Sequence, residues 1–259
     1  MGMEAGEKKW KTAITGHVDG EPYVRGYNLL EMAEKLSFTK AIYLVLKGEL
    51  PKENEEKMLN AMLVSCIDHG LGPPSVTAAR VVLSGGNPLN AGVAAGVLTL
   101  GDSHGGAIEN CAKVLQTAVK KGKPVAELSK EMVEKARFNR ERIPGFGHRI
   151  YITDPRTGVM LKKAKEFGYY GKHVELAVQI EKDLEKALGK KQCLNVDGCI
   201  AAIISEMGFD YRLGKGFFII GRVPGLVAHA FEEMTREKPF RRLEEEEMAY
   251  DGPAPRKLP

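Results

Sequence analysis

Three histidines stand in settings that leave room for a ligand: Asp68-His69-Gly70, Ser103-His104-Gly105-Gly106 and Gly147-His148-Arg149. Taken singly, such a histidine is more often one satisfied by a backbone carbonyl in a turn. Glycine beside His104 and His148 alters that balance, because it lets a ligand approach the backbone. SHGGAIENCAKVLQ reads as a loop feeding a helix, which puts His104 near a positive helix end. A neutral imidazole there, its pKa lowered by the dipole, suits donation of a hydrogen bond to a carbonyl oxygen that is gaining negative charge. Asp197, in CLNVDGC, has two readings: a helix N-cap before GCIAAIISEM, and a partly desolvated carboxylate acting as base on a carbon acid. Arg149, Arg156 and Arg222 complete the set. A guanidinium binds a carboxylate through two parallel hydrogen bonds, so converging arginines imply a substrate with more than one carboxylate. A surface salt bridge is the alternative for each, least of all for Arg222 after the apolar FFIIG.

Other chemistries find little support. No GxxxxGK[ST] is present, no GxGxxG follows a strand, and HExxH is missing. No pair among the three histidines has the spacing of a helical metal site, so no metal is expected. A formal charge of +4, with cations and anions interleaved, gives weak support for nucleic acid. No apolar run reaches membrane-spanning length, and MGMEAGEKKWK lacks a signal-peptide core, so neither a membrane nor export is expected, and the expected address is the cytoplasm. Cys66, Cys111, Cys193 and Cys199 form no CxxC and read as small buried residues with reduced thiols.

The elements that must hold these groups are mostly helical, and the fold class is all-α. Apolar residues recur at helical spacing over 29–36, 41–47, 57–66, 107–121, 125–137, 158–167 and 173–188, whereas period-two runs are scarce. Ser37 and Thr39 are candidate caps, Gly48 and Pro51 punctuate one helix joint, and Pro124 stands near another helix start. The uncharged AGVAAGVLTL stretch, 90–100 with its leading Asn, predicts a buried central helix approached closely by its neighbours. With 259 residues the chain accommodates two modest domains, and 244–259, with its four consecutive glutamates and its prolines, predicts an extended arm.

Six ordered motifs carry a resemblance over nearly the whole chain: RGYNLLEMAEKLSFTKAIYLVLKGELP (25–51), DHGLGPPSVTAARV (68–81), GDSHGGAIEN (101–110), PGFGHRIYITDPR (144–156), LNVDG (194–198) and GRVPGLVAH (221–229). Together they resemble the citrate synthase superfamily, and within it the citryl-CoA lyases, including the citryl-CoA-cleaving module of ATP-citrate lyase. NVDG stands where citrate synthases usually have NVDF. The resemblance implies a citrate synthase-like fold: a large helical domain from 1–105 and 203–259, and a small one from 106–202 carrying the coenzyme A loop with His148 and Asp197. The active site is then expected in the cleft between them. It further implies His104, His148 and Asp197 as the catalytic three, with His69, Arg149, Arg156 and Arg222 as carboxylate-binding residues. Ile143, Pro144, Gly145, Phe146 and Gly147 would lie along coenzyme A.

The implied reaction is cleavage of citryl-CoA to acetyl-CoA and oxaloacetate, with the coenzyme A thioester as substrate and no permanently bound cofactor. A homodimer or higher homo-oligomer is implied, with Arg241 or Arg242 reaching the neighbour's site, as is a separate citryl-CoA synthetase as supplier. The alternatives are a citrate or 2-methylcitrate synthase, and a non-catalytic relative that binds coenzyme A or dicarboxylates.

Overall fold

The structure, a computed structural model, describes residues 10–148 and 152–259. Its one sheet joins β1 (Thr15–Val18), β2 (Glu21–Val24) and β3 (Tyr27–Asn28), antiparallel in that order. Both turns are two residues long. Asp19-Gly20 and Arg25-Gly26 each take positive φ at both positions, the geometry whose twist matches paired strands. The helical reading of the chain passed over this hairpin, although Asp-Gly is a recognised signal for it.

Among the described residues the rest is helical: α1 (Leu29–Lys35), α2 (Phe38–Lys47), α3 (Glu53–Ser65), α4 (Pro74–Ser84), α5 (Leu89–Leu98), α6 (Ala107–Val119), α7 (Val125–Asn139), α8 (Pro155–Phe167), α9 (Lys172–Leu188), α10 (Val196–Glu206) and α11 (Gly214–Arg236). The all-α expectation holds. Ser37 caps α2 through a hydrogen bond from the Lys40 amide, while Thr39 lies inside the helix. Gly48, in the left-handed region, ends α2, and Pro124 is the N-cap of α7. Four helices lie outside the periodic segments: α5 and α10 are legible by composition and capping, α4 and α11 are not. The start of α4 at Pro74 reads as loop until Pro is recognised as an acceptable first helical residue. In α11 the internal Pro224 and four glycines mask a helix of 23 residues.

The 90–100 stretch corrects one expectation. It forms α5, but only Gly92 and Gly96 are buried in it, and Leu98 is 85% exposed. The close approach does hold: a Cβ on Gly96 would lie 2.9 Å from the Ser75 carbonyl oxygen and 3.1 Å from Leu226. Small residues there serve contact with α4 and α11 rather than burial on all sides. The arm from 244 onward is exposed and contains one short 3-10 turn, Glu245–Glu247.

By packing, the chain separates into two units. The first ends at Ile67 and resumes over Gly105–Gly221; the second comprises Asp68–His104 and Arg222–Pro259. In the first, α10 packs on α6, α8 and α9, and its Ile200–Ile204 run is almost wholly buried. Lys47 at the end of α2 donates to the Met207 and Gly208 carbonyls, tying an early helix to the end of α10. In the second unit α4 packs on α5, and Val76, Ala79 and Leu226 form its apolar centre.

Candidate active site

In the first unit the loop 143–148 is laced to the start of α10. The Gly147 amide donates to the Cys193 carbonyl at 2.7 Å, the Asn195 amide to the Gly145 carbonyl at 3.1 Å, and Asn195 Nδ2 to the Gly147 carbonyl at 2.9 Å. Phe146 forms an isolated antiparallel bridge with Leu194. His148 therefore leaves one strand of this pair and Asp197 the other. Ile143 and Gly145 face inward, and Pro144, Phe146, Gly147 and His148 are half-buried. Asp197 is half-buried in the first turn of α10. The cap is Asn195, whose side chain accepts from the Gly198 amide, so the N-cap reading of Asp197 is corrected. The carboxylate of Asp197 is close enough to Cys111 to join burial in pushing that thiol up to about 12.

Arg156 stands in the first turn of α8 and is held by Asp154, the cap of that helix. Arg156 Nε and Nη2 donate to the two Asp154 oxygens at 3.0 and 2.8 Å, and the Arg156 and Val196 amides donate to the same carboxylate at 3.1 and 3.0 Å. Asp154 is fully buried. Burial alone would raise its pKa, but the guanidinium and the Val196 amide outweigh that and hold it below the usual carboxylate range. One anion thus ties the starts of α8 and α10, and with them Arg156 and Asp197. A cavity of about 580 Å³ opens between α3 and α8, with Arg156 and Ser65 among its polar walls and Val64, Met160 and Phe167 among its apolar ones.

The second unit gathers His104, His69 and Arg222. His104 Nε2 lies 2.9 Å from Ser75 Oγ, in the first turn of α4. Its pKa is lowered by burial first, then by the positive charge of Arg222 and by His69. The expected direction is right, and the groups responsible are burial and a cation. Arg222 is 3% exposed, and His69 is exposed. The turn holding His69 is fixed by its predecessor: Asp68 accepts from the Gly70 amide at 2.8 Å and pairs with His229 Nε2 at 3.0 Å. His229 lies seven residues after Arg222 on α11, two turns along the same face. Arg149 lies outside the described residues. Arg241 is committed within its own chain, donating through Nε and Nη2 to the buried Glu233, which also binds Arg80; Arg242 is exposed.

Ser75, Asp154, Asn195 and the Asp68–His229 pair were not singled out from sequence. Their signals were local, an Asp before Pro-Arg and an Asn three residues before a Gly, and both read as ordinary caps.

The lowered pKa of His104 has a thermodynamic consequence. The unfolded chain takes up this proton near 6.5 while the folded chain resists it, so below that pH protonation favours unfolding. Stability therefore falls as pH drops from about 7 towards 5, above the range where carboxylates titrate. Melting temperatures measured across that window should fall less for His104→Gln than for the parent; an equal fall in both would refute the assignment.

Comparison with known proteins bears on the family and the fold. Residues 51–243 match the family described as citrate synthase, C-terminal domain. A solved structure of citryl-CoA lyase from Hydrogenobacter thermophilus is 54% identical, covers 97% of this chain and 98% of that one, and superposes with a TM-score of 0.92. A probable ATP-citrate synthase of Dictyostelium discoideum is 31% identical over 80% of this chain and 35% of its own length. A citrate synthase of Haloferax volcanii is 30% identical over 81% of this chain and 55% of its own length. The chain thus spans from about a third to about half of these curated relatives. The match over 51–243, the helical fold and the ordered motifs place one conclusion beyond the residues themselves: this chain belongs to the citrate synthase family.

Proposed function

We propose that this chain is a citryl-CoA lyase, cleaving citryl-CoA to acetyl-CoA and oxaloacetate. The observation that carries the reading is the 54% identity, extending over 97% of this chain and 98% of its counterpart, to the citryl-CoA lyase of Hydrogenobacter thermophilus. His148 takes the proton of the tertiary hydroxyl as that oxygen becomes the ketone of oxaloacetate. The electrons of the breaking carbon–carbon bond pass into the enolate of acetyl-CoA. His104, neutral by virtue of its lowered pKa and oriented through Ser75, donates a hydrogen bond to the thioester oxygen as charge builds there. Asp197, in its acid form, delivers a proton to the terminal carbon.

His69, Arg149, Arg156 and Arg222 bind the carboxylates. Ile143, Pro144, Gly145, Phe146 and Gly147 line the coenzyme A moiety, which enters and leaves as substrate, with no resident cofactor or metal required. The domain division at 106–202 and a homodimer, with Arg241 or Arg242 reaching the neighbouring copy, belong to the same reading. So do a cytoplasmic address and a separate synthetase that supplies citryl-CoA.

The 30% identity to the citrate synthase of Haloferax volcanii favours a second reading, in which the same bond is made and the thioester then hydrolysed. Two incubations separate them. Citryl-CoA should yield acetyl-CoA and oxaloacetate without free coenzyme A. Rapid release of free coenzyme A from acetyl-CoA and oxaloacetate would instead identify a citrate synthase. Binding of coenzyme A with no turnover in either direction would leave a non-catalytic relative.

A further inference from the structure

Gly145 and Gly198 sit back to back in the laced pair. A Cβ on Gly145 would lie 2.6 Å from the Gly198 Cα and 2.9 Å from Cys111 Sγ. A Cβ on Gly198 would press into the Gly145 carbonyl oxygen, closer than real Cβ atoms come. That oxygen is already occupied by the Asn195 amide, so the carbonyl cannot turn aside without losing a backbone hydrogen bond. Of the two partners α10 is the stiffer, since Ile200, Ala201, Ala202, Ile203 and Ile204 are essentially fully buried behind Gly198. A side chain at 198 therefore moves the loop and leaves the helix in place. His148 travels with the loop; Asp197 stays with the helix.

We propose that Gly198 is a positioning residue, whose missing side chain fixes the separation of His148 from Asp197. The inference rests on the lyase reading above and gives NVDG a physical meaning. With glycine after Asp197 the loop closes fully onto α10; an aromatic residue at this point requires a loop placed elsewhere. Carbon–carbon cleavage needs both groups at once, one on the hydroxyl and one on the terminal carbon. Proton exchange at the methyl group of acetyl-CoA needs Asp197 and His104 but not His148.

The test compares these two rates in the full chain, after the parent has been shown to cleave citryl-CoA. Exchange is followed as deuterium entering the acetyl-CoA methyl group, with an unreactive four-carbon hydroxydicarboxylate present to fill the carboxylate site. In Gly198→Ala, cleavage should fall about 100-fold, as expected for a displacement on the order of 1 Å, while exchange stays within about threefold. Asn195→Asp keeps the oxygen that caps α10 and turns the donor to the Gly147 carbonyl into an acceptor that pushes the loop away, so it should divide the two rates in the same direction even if Gly198→Ala fails to fold. Gly158→Ala, at an exposed helical position with nothing within 4 Å of the added Cβ, should match the parent. Cleavage at the parental rate in either folded variant, or a parallel fall in both rates, overturns the proposal. A parent that does not act on citryl-CoA overturns the lyase reading instead, and the two failures are distinct.

Discussion

Asp197→Ala and His148→Ala are each expected to reduce citryl-CoA cleavage by about 10² to 10⁴-fold, the usual cost of removing a positioned proton-transfer group. Neither side chain belongs to the hydrophobic core, so both variants should fold, with melting temperatures near the parent's. The two should differ in the exchange reaction. Removing Asp197 abolishes deuterium entry into the acetyl-CoA methyl group, because no other carboxylate is assigned to that carbon. Removing His148 spares it. Steady-state kinetics on the two purified variants check the first expectation, and mass spectrometry of recovered acetyl-CoA checks the second. Full cleavage turnover in either variant would end the assignment of that residue.

Asp154→Asn should cost on the order of 3 kcal/mol of folding stability at neutral pH, the scale for breaking a buried charge pair by removing one partner. Asn has nearly the same shape, but its amide nitrogen must then face either the Arg156 amide and Nε, at one oxygen's place, or Arg156 Nη2 and the Val196 amide, at the other's, and all four donate. The effect depends on pH in a defined sense. Asp154 has its pKa depressed in the folded chain, so its contribution is present above the ordinary carboxylate value of 3.8 and is lost as pH falls through the lower folded value. Urea melts of parent and variant should therefore differ most near pH 7 and converge in acid. Parental stability in Asp154→Asn would show that Asp154 caps α8 and nothing more.

Much of this was legible before any coordinates, for reasons particular residues make plain. Ser37, Gly48 and Pro124 punctuate helices because each acts on its own backbone, and local rules suffice for them. His104, His148, Asp197 and Arg222 drew notice because glycine or an apolar run beside a polar group is unusual by composition alone. What stayed hidden depends on distant partners. The meeting of Asp154 with the Val196 amide spans 42 residues, and His229 reaches Asp68 across 161. Nothing in either neighbourhood announces its partner. The depression of the His104 pKa was expected from a helix end and has burial and Arg222 behind it, a cation that precedes His229 on α11 by two turns. The Asp19-Gly20 and Arg25-Gly26 turns stand in the sequence as dipeptides, but strong helical periodicity dominates the signal around them.

The placement of the four cysteines has a practical side. Cys66, Cys111, Cys193 and Cys199 are all sunk below the surface, and Cys111 is held in its unreactive thiol form at ordinary pH. Maleimide and other thiol-directed dyes should thus leave the native chain untouched. One cysteine introduced at the exposed Arg142, beside the glycine-rich loop, would then accept a single fluorophore without any prior removal of native thiols, giving an optical reporter of that loop during turnover.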